Sequence, residues 1–298
     1  MTAPAPTGIS LSLPRAGALT DALLAPAPAT VAAGDLLALK EQLAGDLAAL
    51  VAELPAGERL RLDGFGFALA RDHPDRLGGA DRPFVPSPAT SRRAVGLAAV
   101  ARCVRGRSPS PAAAVAEVLA AGVEDVADGL DGADGAARAP WWAGWYAGLA
   151  AGGRAMVEAE AVTWATQLWT ALEWERVGPA VVGGGDDWWD CPGTRAITLR
   201  GRAEVRVRAG ERPALLVVGS GLPPTDWRGT LGFPALVAAL ARGEGAVAGR
   251  VVGLWPASGQ VRILPVDAAA LTATATAVVA AVATWVDARL EATAAPSR

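Results

Sequence analysis

The stretch 195-RAITLRGRAEVRVRAGERPALLVVGSG-221 decides how this chain is read. Residues 195–208 alternate strictly. Ile197, Leu199, Ala203, Val205 and Val207 share one face, while Arg200, Arg202, Glu204, Arg206 and Arg208 share the other, the period of a half-buried strand. Residues 214–218 are continuously apolar, as a central strand covered on both faces requires. Downstream, residues 229–241 have helical spacing. Residues 250–255 and 260–265 read as a hairpin around Ala257-Ser258-Gly259, and 267–291 as a long closing helix.

Upstream the period is mostly helical. Leu36, Leu39, Leu43, Leu47, Leu50 and Leu54 mark an amphipathic helix over 35–54. Residues 60–69 suggest a hairpin around Asp63-Gly64, and 87–105 and 111–121 read as helices. Residues 125–138 are loop-like, and 141–176 are helical with a break at Gly152-Gly153, with Trp164, Leu168 and Leu172 on one face. A short strand at 180–182 precedes a GGGDDWWDCPG loop. The expectation is an α+β protein: a mainly helical region 1–86 with an irregular start, a small mixed sheet flanked by helices over 87–293 with a helical insertion, and a tail at 294–298.

Composition narrows the chemistry. Lys40 is the only lysine and His73 the only histidine among 298 residues, against 26 arginines. A mechanism needing a catalytic lysine or imidazole must recruit one of those two. A net charge of -3 sets up no global field toward nucleic acid or anionic membrane. Cys103 and Cys191 are too few and too far apart for a zinc or iron–sulfur site, which suggests a reduced, cytoplasmic chain. The N-terminus lacks a signal-peptide pattern, and the apolar run 273–286, interrupted by threonines, reads as too short to span a bilayer.

With the element order from Trp141 onward, Gly201-Arg202-Ala203-Glu204 on the first long strand and Val217-Val218-Gly219-Ser220-Gly221 at the end of the next make the chain resemble the RecB-like branch of the PD-(D/E)XK nuclease superfamily. Ser87-Pro88 ahead of a helix bearing Arg92 and Arg93 adds to the likeness. The resemblance implies a sheet-and-helix nuclease core. In that family two carboxylates hold a divalent cation on the scissile phosphate and a lysine assists the attacking water. Here the corresponding positions are Glu204, Val217 and Gly219, so one carboxylate survives as a longer homologue and the other carboxylate and the lysine are absent. The glutamine and tyrosine of the following helix are missing from 229–241 as well.

The resemblance and its departures imply a catalytically inactive nuclease-like module without a cofactor. It would bind DNA, RNA or a protein partner through Arg200, Arg202, Arg206 and Arg208, spaced to meet successive phosphates. The competing view of those arginines is a solvated strand face with Arg–Glu pairs. A metal-dependent nuclease with a rearranged site is the enzymatic alternative, using Mg or Mn held by Glu204 with Glu160, or with Glu158 or Glu173. A structural subunit of a complex is the third. Asp186, Asp187 and Asp190 beside Cys191 form an acidic loop with oxygen ligands but without a calcium-loop spacing. Gly219-Ser220-Gly221 fits a tight turn better than a phosphate loop, His73 before proline fits an exposed turn, and Tyr146 fits a packed aromatic.

Overall fold

The computed structural model describes residues 10–12, 16–27, 30–52, 54–55, 57–74, 86–131, 140–178, 180–183, 185–219 and 221–294. Its elements begin with β1 (Ser10–Ser12), α1 (Ala16–Leu24), α2 (Ala33–Val51), β2 (Leu60–Asp63) and α3 (Gly64–Asp72). A helical series follows: α4 (Pro88–Val104), α5 (Pro111–Asp131), α6 (Ala143–Ala147), α7 (Ala151–Ala171) and α8 (Trp174–Val177). The remainder is β3 (Ala180–Val182), β4 (Asp187–Asp190), β5 (Ile197–Gly201), β6 (Val205–Ala209), β7 (Arg212–Val218), α9 (Trp227–Arg242), β8 (Arg250–Trp255), β9 (Gln260–Pro265) and α10 (Ala268–Ala294). The fold is mixed α+β, with two small mixed sheets flanked by helices.

Two compact units divide the chain: Met1–Pro14, Asp21–Arg82 and Gly184–Arg298 form the first, and Arg15–Thr20 with Pro83–Gly183 the second. This differs from the expected division at residue 86. The reason is a long-range pairing, because β2 lies parallel to β5 with Leu60 opposite Ile197, which draws residues 60–63 into the C-terminal half. The expected irregular start at 1–8, residues 132–138 of the expected loop, Ser220 and the tail from 295 lie outside the described residues.

In the first unit five strands follow the order β1-β9-β8-β7-β6. β6 and β7 form an antiparallel hairpin, β7 and β8 are parallel and joined through α9, and β8 and β9 are again antiparallel. A second sheet has the order β2-β5-β4. α9 packs against β4 and β5 of the small sheet, β8 and β9 of the larger one, and α10. Leu231 through Leu240 are buried on every side of it, as an all-round apolar helix must be.

The alternating stretch 195–208 is therefore not one strand. β5 ends at Gly201 in the small sheet, and β6 begins at Val205 in the large one. Gly201 marks the corner because a Cβ there would lie 2.7 Å from Val237 of α9, too close for any side chain. Period-2 alternation runs unbroken through such a corner, so it cannot report that the chain has changed sheets.

Other expectations are corrected by local chemistry. Asp63-Gly64 does not turn a hairpin. The Asp63 side chain accepts from the Gly66 amide at 2.8 Å and caps α3. The expected loop at 183–193 contains β4, which pairs antiparallel with β5 and buries Asp187 and Trp189 while exposing Trp188 and Asp190. α5 continues ten residues past Ala121, to Asp131, and Gly152-Gly153 lie inside the first turn of α7.

α10 spans 27 residues and is long and apolar enough, by length and composition, to cross a membrane, contrary to the shorter run read from sequence. Its threonines interrupt nothing, since Thr272, Thr274, Thr276 and Thr284 each donate back to a carbonyl four residues earlier, at 2.8–3.0 Å. One stripe, Leu271, Ala275, Val278, Val282 and Trp285, is buried, and α10 packs on α2, α3 and α9.

The second unit is built on close helix contacts among α4, α5 and α7. Ser87 caps α4 by a reciprocal pair of hydrogen bonds with Thr90. Gly96 and Gly122 leave room for the indoles of Trp164 and Trp142, which would collide with any Cβ at those positions.

Candidate functional site

Glu204 stands at the bend that opens β6, one residue before the Val205–Leu216 pair and beside Val217. Its amide donates to the Leu216 carbonyl at 2.9 Å, and its fully buried carboxylate accepts from the Val218 amide at 2.6 Å. That side chain prolongs the β6–β7 ladder past the point where the backbones separate, and the Arg202 guanidinium lies 3.9 Å from its other oxygen. Gly219, next along β7, donates to Leu254 at 2.8 Å and lies beneath the indole of Trp255. The same indole covers Gly253, directly opposite Val217. The space a side chain at 219 would need is filled by a tryptophan.

The four arginines read as one face are separated. Arg200 lies on the small sheet, where it donates to Asp186 at 2.7 Å and stacks over Trp188, 4.9 Å from the ring centre. Arg206, on the large sheet, donates to Asp187, which Arg242 of α9 grips from its other oxygen. Arg202 falls between strands with its side chain 43% exposed. Arg208 is exposed and has no carboxylate partner among the described residues. Sequence reasoning placed Glu204 on the solvated arginine side; burial of its carboxylate under β7 corrects that.

The acidic loop is consumed by the same pairings. Asp187 is buried between two guanidinia, Asp186 binds Arg200, and Asp190 accepts from the Thr198 hydroxyl at 2.7 Å. Burial pushes the neighbouring Cys191 thiol up to about 11, and its Sγ lies 3.7 Å from the Ala44 carbonyl. Among the described residues, no three His, Cys, Asp or Glu side chains gather as a metal would need. Glu160, the expected partner of Glu204, is in the second unit and pairs with Arg92 of α4 at 3.3 Å.

The two scarce residues have structural posts. The Lys40 Nζ donates to the Leu240 carbonyl at 3.2 Å, capping the C-terminal end of α9. His73 is exposed and closes α3 through its backbone amide. Tyr146 packs edge-on against Trp142, and burial raises its hydroxyl pKa.

Reading the sequence missed the cleft on the small sheet. An open cavity of about 770 Å³ is lined by Arg59, Leu60, Arg61, Asp190, Thr194, Arg195, Ile197 and Thr198. β2 supplies Arg61, opposite Thr198 of β5, and Arg195 comes from the turn leading into β5. No carboxylate pairs with Arg59, Arg61 or Arg195 among the described residues; Arg61 instead stacks over Trp188 at 5.2 Å. Three guanidinia thus face one carboxylate that Thr198 already engages. The signal was present as Arg59-Leu60-Arg61, but nothing local says that these residues lie beside 194–198.

Neither a family model, nor a curated protein, nor a solved structure matches this chain.

Proposed function

We propose that the chain is a non-catalytic, nuclease-like module that binds nucleic acid. What supports the reading is the use made of Glu204, whose carboxylate is spent on the Val218 amide, out of solvent, where a metal-binding nuclease needs it free. Trp255 over Gly219 fits the same reading, because it fills the place where the resemblance would put a lysine. Arginines without a carboxylate partner among the described residues, including Arg208 and those of the small-sheet cleft, give a chain of net charge -3 local positive surfaces for phosphates.

The test has two arms. Labelled single- and double-stranded DNA and RNA are incubated with the protein and Mg or Mn, and mobility shifts are read at about 50 and 200 mM salt. The expected result is no cleavage together with a shift that weakens steeply with salt. Metal-dependent cleavage by the wild-type chain would overturn the non-catalytic part; no shift with any of the four nucleic acids at the lower salt would overturn the binding part.

A further inference from the structure

We infer that the cleft on the small sheet is a phosphate-binding site, and that Arg59, Arg61 and Arg195 hold successive phosphates of a single nucleic-acid strand along it. The strand as the phosphate carrier rests on the function proposed above; the phosphate site itself stands on the cleft's own chemistry.

Three features point to phosphate. Three like charges share one open cavity of about 770 Å³ with a single carboxylate, Asp190, which accepts from Thr198, so the cavity keeps a surplus of positive charge and an anion gains from entering. The charges are arginines, whose planar fork matches phosphate oxygens two at a time. Thr194 and Thr198 add hydroxyls to the same wall, one accepting from the Ala196 amide and the other donating to Asp190.

The arrangement also suits a strand more than a compact anion. Arg61 lies in β2 and Arg59 just before it, so their Cα atoms are at most about 7 Å apart, a reach that matches neighbouring phosphates of an extended strand. Beside the cleft, on the same outward face of the sheet, Trp188 is 43% exposed and has Arg61 and Arg200 stacked on it. Flat guanidinium and indole surfaces beside a row of charges are the elements on which unpaired bases stack.

The test compares the wild type with the triple variant Arg59→Gln, Arg61→Gln, Arg195→Gln and with the double variant Arg202→Gln, Arg208→Gln. Binding of a labelled oligothymidine is followed by fluorescence anisotropy across a salt series, and binding of inorganic pyrophosphate by calorimetry. The triple variant is expected to bind the oligonucleotide at least tenfold more weakly, with the salt slope reduced by about two. Arg195→Glu, a single change in the turn before β5, serves as a second variant and is expected to weaken binding on its own; thermal melts report whether each variant is folded.

Wild-type oligonucleotide binding untouched by the triple variant and by Arg195→Glu, but lost in the double variant, overturns this site and leaves the nucleic-acid reading standing. Pyrophosphate binding that the triple variant abolishes, without oligonucleotide binding by the wild type, supports the phosphate site, identifies a small phosphorylated ligand as its occupant, and overturns the nucleic-acid reading. Binding of neither probe by the wild type overturns both.

Discussion

Side chains that the sequence presents as reactive are committed to holding the fold. Cys191 shows this with a measurable consequence. It is buried against the backbone of α2 near Ala44, and burial raises its pKa to about 11, above about 8.5 for a thiol in an unfolded chain. Below pH ~8.5 the thiol is protonated in both states and its full contribution to stability is present. Between there and about 11 the unfolded chain loses its proton first, so stability falls as pH rises through that window. Urea midpoints measured across this range are expected to decline in the wild type and to decline less in Cys191→Ala; identical slopes would refute the assignment to Cys191. Glu204 and Gly219 follow the same pattern, the first used as a backbone acceptor and the second kept bare by Trp255.

Elements carry information that residues alone do not. α9 was legible as a helix because its spacing is local, but its burial on all sides follows from having a sheet on each flank. The last carbonyls of a helix have no partner within it, and Lys40 of α2 reaches one of those of α9. Lys40→Met keeps the apolar stem and removes the donor, so it should cost about 1 kcal/mol in a denaturant titration. A loss within experimental error would show that solvent serves Leu240 as well. β4 went unrecognised for the opposite reason. Four residues, Asp-Trp-Trp-Asp, look like a polar turn until β5 supplies the ladder that aims Asp187 and Trp189 inward.

At the scale of the molecule, the first unit is joined by charge as well as by apolar packing. Asp187 of β4 is gripped by Arg206 of β6 and Arg242 of α9, so one carboxylate links the small sheet, the large sheet and the helix between them. Removing its charge strands two guanidinia, one of them only 19% exposed. Asp187→Asn is expected to cost about 3 kcal/mol, and a cycle with Arg206→Met should recover part of that loss. Additive losses would mean that the three groups do not act as a unit.

The sequence by itself determined the α+β class, the positions of most helices, the β7, β8 and β9 strands, and the absence of lysine and histidine from residues 87–293. All of these depend on local period or on composition. Only the tertiary structure decided that residues 195–208 form two strands in two sheets, that residues 60–63 join one of them, and that Glu204 is buried while Arg208 is not. It also decided that Arg59, Arg61 and Arg195 share a cleft. The physical reason is shared: strand pairing and burial are set by the partner an element meets, β5 for residues 60–63, α9 at the Gly201 corner and β7 for Glu204, and alternation along the chain reads the same whichever partner is present.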